Sequence, residues 1–325
     1  MELSKIFAVD GRKDLAEAIS TNYNMAMMPG DKLHNGVIQI DQFSDGEIST
    51  NFLETVRGHN VFLLCSTNSS DNIIKLCLAA DAAKRAAAKE IIAVMPYYGY
   101  ARQDRKDGMR GAVGAKVMAD MFTACGVTQI ISSDLHADQI QGFWNIPVDT
   151  VSGHYIFMPY IRKLLNNKTI TDLCLVSPDA GGVKRVDNFF KILSKEAEVS
   201  FAMISKRRDK PNEVASMDLI GNVKDKDVII IDDMVDTAGT LCMAVDKIKS
   251  EGARSVRAIC THGILSGPAD SRIENSGLEE LIISDSIQQG KVNSKIKIIS
   301  CVDPLVRIIK AINNRVSADN LTKLK

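Results

Sequence analysis

The segment Val228-Ile229-Ile230-Ile231-Asp232-Asp233-Met234-Val235-Asp236-Thr237-Ala238-Gly239-Thr240 concentrates residue types that could bind a sugar phosphate. An apolar run, expected as a buried strand, ends in two acids. A short loop of hydroxyl-bearing and small residues follows, and then a helical pattern begins. Backbone N–H groups of such a loop, with the hydroxyls of Thr237 and Thr240, can surround a phosphate at the positive end of the helix. Gly239 permits close backbone approach. The carboxylates of Asp232 and Asp233 can accept hydrogen bonds from adjacent sugar hydroxyls. Phosphate at one end and a diol at the other describe a ribose 5-phosphate moiety. Simple helix capping explains each part of the segment but not their combination.

Other candidates are individually weaker. Asp45 and Glu47 flank Gly46 after an expected strand. They could edge a purine or its ribose, and a charged turn explains them equally well. Arg102 and Gln103 follow a strand that ends in aromatic residues. Arg102 offers a fork for phosphate oxygens or a plane for adenine, and Gln103 can hydrogen-bond a base edge. His136 closes Ile130-Ile131-Ser132-Ser133-Asp134-Leu135, where a parallel strand would open towards ligand, although a lone histidine is more often structural. Lys206-Arg207-Arg208-Asp209-Lys210-Pro211-Asn212-Glu213 has no apolar residue before Val214, ordinarily the mark of a solvated loop. Gly108-Met109-Arg110-Gly111-Ala112-Val113-Gly114-Ala115-Lys116 imitates a phosphate loop. It fails the GxxxxGK[ST] spacing and lacks a strand immediately before it.

The elements that must position these residues alternate in type. Val61-Phe62-Leu63-Leu64, Ile91-Ile92-Ala93-Val94, Leu173-Cys174-Leu175-Val176 and Val228-Ile229-Ile230-Ile231 are continuous apolar runs. Such runs suit strands buried on both faces of a parallel sheet. Residues 115–125 carry Val117, Met118, Met121, Phe122 and Cys125 at helical spacing, and 239–249 repeat the theme with Leu241, Val245 and Ile248. The Ala-rich stretch 79–89 is expected to be helical. This rhythm reads as an α/β fold with mainly parallel sheets, which bind ligands beyond the C-terminal strand ends. It is interrupted at Asn145-Ile146-Pro147-Val148-Asp149, which places domains at 1–152 and 153–303. A last helix, 304–325, has a route back onto the first half that sequence leaves open.

Composition narrows the partners. Of 325 residues, 40 are Lys or Arg and 40 Asp or Glu, for a net charge of zero. Neither nucleic acid nor an anionic membrane is expected as a partner, so any bound anion must be held locally. No segment has the length of an apolar membrane span, and the N-terminus lacks a signal-peptide pattern. The seven cysteines are odd in number and have no CxxC spacing. A reduced cytoplasmic protein is the expectation.

The 228–240 segment resembles the phosphoribosyl-binding motif of type I phosphoribosyltransferases and the related ribose-phosphate pyrophosphokinases. Further segments resemble the second family specifically: Phe43-Ser44-Asp45-Gly46-Glu47, Pro96-Tyr97-Tyr98-Gly99-Tyr100-Ala101-Arg102-Gln103-Asp104-Arg105-Lys106 and Asp134-Leu135-His136-Ala137-Asp138-Gln139-Ile140-Gln141-Gly142-Phe143. So do Ser177-Pro178-Asp179-Ala180-Gly181-Gly182, Lys206-Arg207-Arg208 and Thr261-His262-Gly263-Ile264-Leu265-Ser266-Gly267-Pro268-Ala269, all in order.

The resemblance implies two phosphoribosyltransferase-like domains, each a mainly parallel sheet flanked by helices. It implies that Asp45, Gly46, Glu47, Arg102 and Gln103 hold ATP, and that Arg208, Asp232, Asp236, Thr237, Ala238, Gly239 and Thr240 hold ribose 5-phosphate. It further implies catalytic roles for Lys206 and Arg208, Mg²⁺ at His136 and Asp179, and self-association, as a homohexamer in many relatives. Asp179 suits a hard cation directly; His136 is a less natural ligand for it. A phosphoribosyltransferase is the neighbouring reading, opposed by the Asp45–Glu47 and Arg102-Gln103 segments. A non-catalytic regulatory homologue is the other, opposed by Lys206, Arg208, His136 and Asp179. The chain departs from the family in a glycine-rich stretch after Lys106 and in a C-terminus without the Ser-rich ending and Phe that accompany allosteric control; Thr55 and Arg57 resemble other parts of that control site.

Overall fold

A computed structural model describes residues 4–25, 27–28, 31–106, 108–207 and 216–317. The chain divides into two compact units, Met1–Ser152 with Cys301–Lys325, and Gly153–Ser300.

In the first unit the elements are β1 (Ser4–Ala8), α1 (Lys13–Asn24), β2 (Leu33–Asn35), β3 (Ile38–Gln42), β4 (Ile48–Phe52), β5 (Asn60–Leu64), α2 (Ser70–Arg85), β6 (Glu90–Met95), α3 (Gly114–Cys125), β7 (Gln129–Ser133), β8 (Val148–Val151) and the returning α8 (Val302–Asn314). Six strands form one parallel sheet in the order β2-β1-β5-β6-β7-β8. Every residue of β5 is buried, which is why that run is apolar without alternation. β3 and β4 form a separate antiparallel hairpin, pairing Ile38 with Phe52 and Gln42 with Ile48. Its Phe52 ring packs edge-on against Phe7 of β1 at 4.7 Å between centroids. α8 lies against α1: Ser4 Oγ donates to Asn313 Oδ1 at 2.9 Å, and Asn313 Nδ2 donates to the Tyr23 hydroxyl at 3.0 Å.

The second unit contains α4 (Gly153–Asn166), β9 (Leu173–Ser177), α5 (Val183–Leu193), β10 (Val199–Arg207), β11 (Ser216–Ile220), β12 (Asp227–Val235), α6 (Gly239–Ser250), β13 (Ser255–Gly263), α7 (Ala269–Glu274), β14 (Glu280–Ser284) and β15 (Ile296–Ile299). Its seven-stranded sheet runs β11-β10-β9-β12-β13-β14-β15, parallel except for the β10–β11 pair. No helix among the described residues is long and apolar enough to cross a membrane.

Two local expectations are corrected. The Ala-rich stretch is only partly helical: α2 begins at Ser70 and stops at Arg85. Ala87 then takes φ +60°, and its carbonyl accepts the Gly58 N–H at 2.8 Å, turning the chain into β6. The strand at 228–231 does not end at its acids. β12 runs through Asp232 and Asp233 to Val235 because β13 keeps pairing with it, Asp232 with Cys260 and Val235 with Gly263. On its other edge, pairing with β9 stops at Ile230.

Both sheets reverse strand order once between neighbours whose connections leave in opposite directions: between β1 and β5 in the first unit, and between β9 and β12 in the second. In open α/β sheets the crevice beyond such a reversal is where ligands bind.

Candidate active site

In the second unit the reversal brings the loops after β9 and β12 together. Asp179 follows β9; its Oδ1 accepts the Gly182 N–H at 3.0 Å, and its carbonyl accepts the Ser177 hydroxyl at 2.6 Å. The tight turn needs Gly182, whose Cβ, if present, would lie 2.9 Å from Ser177 Oγ. The adjacent acids of β12 face different surroundings. Asp232 keeps 31% of its side-chain surface exposed, against 5% for Asp233. Arg185 Nη1 on α5 stands 3.4 Å from Asp233 and 3.8 Å from Asp232. Asp233 is therefore largely a partner of α5, and Asp232 is the carboxylate presented to the crevice. Burial and the neighbouring Asp233 push the Asp232 carboxyl well above the usual range, against the pull of Arg185; Asp179 adds to the rise.

Beyond Val235 the chain turns through Asp236, Thr237 and Ala238 into α6. Ala238 is the N-cap residue, at φ +59° in the left-handed region, and it supplies no side-chain cap. No acid occupies the first turn of α6, and Thr237 and Thr240 are exposed. The leading N–H groups of a helix have no intrahelical partner, so this end is suited to an anion. Simple capping, the bland explanation of the motif, is thus not what this loop does.

In the first unit the sequence-predicted residues lie on two sheets. Asp45, Gly46 and Glu47 are exposed at the tip of the β3–β4 hairpin, where Gly46 adopts φ +95° and Asp45 Oδ1 accepts the Glu47 N–H at 3.0 Å. Arg102 and Gln103 lie on the loop after β6, also exposed. That loop is anchored by Gly99, whose N–H donates to Thr67 Oγ1 at 2.8 Å; a Cβ there would stand 2.0 Å from the Thr67 carbonyl oxygen. Gln103 packs against the start of α3, where a Cβ on Gly114 would meet its Oε1 at 2.5 Å. The false phosphate loop therefore contains a glycine that makes room for Gln103. His136 is exposed after β7, the strand beside β6, and Gln139 Nε2 just beyond it donates to Asp104 Oδ2 at 2.9 Å. The Arg102–Gln103 and His136 segments are thus neighbours on one sheet edge.

Lys206 lies on β10, its backbone in register with Met217 of β11, rather than in a loop. Arg208 lies outside the described residues. Sequence reasoning missed Arg185 and Arg272. Neither stands in a local pattern that signals its partner; Arg272 Nη1 donates to the Thr237 carbonyl at 2.9 Å across 35 residues of chain.

Mainly parallel α/β units with an uncapped hydroxyl-rich loop at a strand-order reversal suit a phosphate-bearing ligand, and the match to the phosphoribosyl transferase domain sets the class as phosphoribosyltransferase-type. Residues 4–126 match the family model for the N-terminal domain of ribose phosphate pyrophosphokinase, and residues 156–291 match that for the phosphoribosyl transferase domain. The ribose-phosphate pyrophosphokinase of Porphyromonas gingivalis is 46% identical over 287 residues, covering 88% of this chain and 90% of the relative. That of Clostridium perfringens is 44% identical over 301 residues, covering 91% of this chain and 90% of the relative. The crystal structure of phosphoribosylpyrophosphate synthetase from Mycobacterium smegmatis matches with a TM-score of 0.85 at 32% identity, over 97% of this chain and 100% of that one. The chain belongs to the ribose-phosphate pyrophosphokinase family, a family of diphosphotransferase enzymes.

Proposed function

We propose that the protein transfers the β,γ-diphosphoryl group of ATP to the 1-hydroxyl of ribose 5-phosphate, giving 5-phosphoribosyl 1-diphosphate and AMP. The observation that carries this reading is the 46% and 44% identity to ribose-phosphate pyrophosphokinases over most of the chain; the uncapped N-terminus of α6 beyond the acid-bearing end of β12 supports its sugar-phosphate half. The loop of Asp236, Thr237, Ala238, Gly239 and Thr240 would take the 5-phosphate. Asp232 would accept from the ribose hydroxyls. Asp45, Gly46 and Glu47 with Arg102 and Gln103 would hold ATP, the arginine on phosphate oxygens or the adenine plane and the glutamine on a base edge.

In the transfer, the sugar 1-oxygen forms a bond to the β-phosphorus as the bond from that phosphorus to the AMP oxygen breaks. The 1-hydroxyl proton is lost to solvent. No side chain needs to become covalently attached. Lys206 and Arg208 would stabilise charge on the transferring group, which is the main demand of phosphoryl transfer.

The acids at this crevice fit a hard divalent cation. Asp179 and Asp232 offer carboxylate oxygens, the donors such an ion prefers; burial first, and then the neighbouring Asp233, raise the Asp232 carboxyl. The family resemblance assigns Mg²⁺ to Asp179 and to His136, and the ion when bound neutralises polyphosphate charge. The family resemblance also supports self-association, as a homohexamer, in the cytoplasm.

The test is nucleotide product analysis by ³¹P NMR with ATP, ribose 5-phosphate and Mg²⁺. AMP formed only with the sugar, beside a new diphosphate signal, supports the reading. ADP would identify an ordinary sugar kinase. No turnover, with or without inorganic phosphate, would return the choice to a regulatory homologue or a phosphoribosyltransferase.

A further inference from the structure

The segment from Thr261 to Ala269 contributes to the family resemblance, yet its residue types suggest no chemistry. Its contacts do. Three successive carbonyls, from the last residue of β12 into the loop after it, are tied to this segment and the helix that follows it. Val235 O accepts the Ile264 and Leu265 N–H groups at 2.9 and 3.2 Å, and Asp236 O accepts the Ser266 N–H at 3.1 Å. Thr237 O accepts from Arg272 Nη1 on α7 at 2.9 Å.

A trans peptide holds its C=O and its N–H in one plane, pointing in nearly opposite directions. Holding the carbonyls of Val235, Asp236 and Thr237 from one side therefore aims the N–H groups of Asp236, Thr237 and Ala238 to the other. The last of these hinges is the least self-sufficient. Ala238 sits at φ +59°, a conformation that a residue with a Cβ adopts at a cost, so the peptide before it gains from an outside hold. Gly239 also makes room for that hold, since a Cβ there would lie 3.3 Å from Arg272 Nη1.

We infer that Arg272 is a positioning residue for the sugar-phosphate loop: its guanidinium holds the Thr237 peptide so that the Ala238 N–H faces the anion. This rests on the proposed assignment of the loop to ribose 5-phosphate. A role confined to positioning has a selective signature, because Arg272 is on the ribose side of the chemistry and not among the groups assigned to ATP.

The experiment compares wild type, Arg272→Met and Arg272→Lys by steady-state kinetics varying each substrate separately, and by thermal melting with and without ribose 5-phosphate. Losing a charge-assisted hydrogen bond should raise the ribose 5-phosphate KM of Arg272→Met roughly tenfold or more, with the ATP KM and the ligand-free Tm unchanged. Arg272→Lys, which keeps a cationic donor, should recover part of the loss. A wild-type ribose 5-phosphate KM in Arg272→Met overturns the inference. So do equal rises in both KM values with a lowered Tm. If Arg272→Met does not fold, Arg272→Gln is read by the same criteria. If wild type makes no AMP, the proposed function fails, while the Tm rise produced by ribose 5-phosphate still reports the loop. A rise equal in wild type and Arg272→Met then overturns the inference on its own, and a smaller rise in the variant upholds it.

Discussion

The two units carry the same device, a helix N-terminus beyond a strand-order reversal, and finish it in opposite ways. In the first unit the device is satisfied from within. Ser69 caps α2 by accepting the Asn72 N–H at 3.2 Å, and Asp71 stands in the first turn. Asp10, on the loop after β1, accepts the Ser66 N–H at 2.8 Å and the Arg12 N–H at 3.2 Å. Burial pushes the Asp10 carboxyl above its ordinary value, although those backbone donors and Arg12 pull it back. In the second unit α6 has no side-chain cap and no acid in its first turn, and its loop carbonyls are held from behind. The excursions that follow the strand beside each reversal also differ. After β2 comes the hairpin with Asp45 and Glu47 at its tip, and at the end of β10 begins the cationic run of Lys206, Arg207 and Arg208. The architecture supplies the dipole twice, and a few side chains decide whether an anion is wanted there.

The cationic run is the sharpest contrast, and its removal should have the largest effect. Lys206→Ala is expected to lower kcat roughly a thousandfold, the scale seen when a transition-state charge partner is deleted, with both KM values changed only a few-fold. Steady-state kinetics checks this, and an unaltered kcat would strip Lys206 of a catalytic part.

The comparison can be broken more directly at the second helical position. Asp71 occupies it in α2, and the exposed Thr240 occupies it in α6. Thr240→Asp gives α6 the first turn of α2. The ribose 5-phosphate KM should rise roughly a hundredfold, as expected when like charges costing several kcal/mol are juxtaposed. The Tm should not fall, because an acid suits a helix N-terminus. A wild-type KM in this variant would mean that the loop is no more an anion site than its counterpart.

The smallest expected effect lies in the first unit. Asp10→Ala removes the acceptor shared by the Ser66 and Arg12 N–H groups, which should cost about 1–3 kcal/mol of stability in urea unfolding. Turnover of the folded variant should match wild type. A loss of activity without a loss of stability would show that this reversal, too, serves a ligand.

Much of the framework behind this contrast was legible before any tertiary contact was known. The runs at 61–64, 91–94, 173–176 and 228–231 are strands because helices cover both faces of each sheet, and burial on two faces writes itself into local composition. The proposed phosphate loop is equally local, since an anion site at a helix start uses consecutive backbone donors. The sequence could not show that Asp233 is buried against Arg185 while Asp232 stays half-buried, because that depends on how far β13 carries β12 past the end of its pairing with β9. Nor could it place Asp45 and Glu47 on a separate hairpin rather than beside the parallel sheet, or end α2 at Arg85 within an alanine-rich run.

By itself, then, the sequence determined the α/β rhythm, a property carried by short-range spacing, while the ordered family segments implied two similar domains. Only the tertiary structure decided which helix end is plugged and which is open, and which arginine holds the open loop. Those outcomes rest on contacts between segments far apart in the chain, such as Asp10 with Ser66 and Arg272 with Thr237, whose geometry exists only once strand order and register are set.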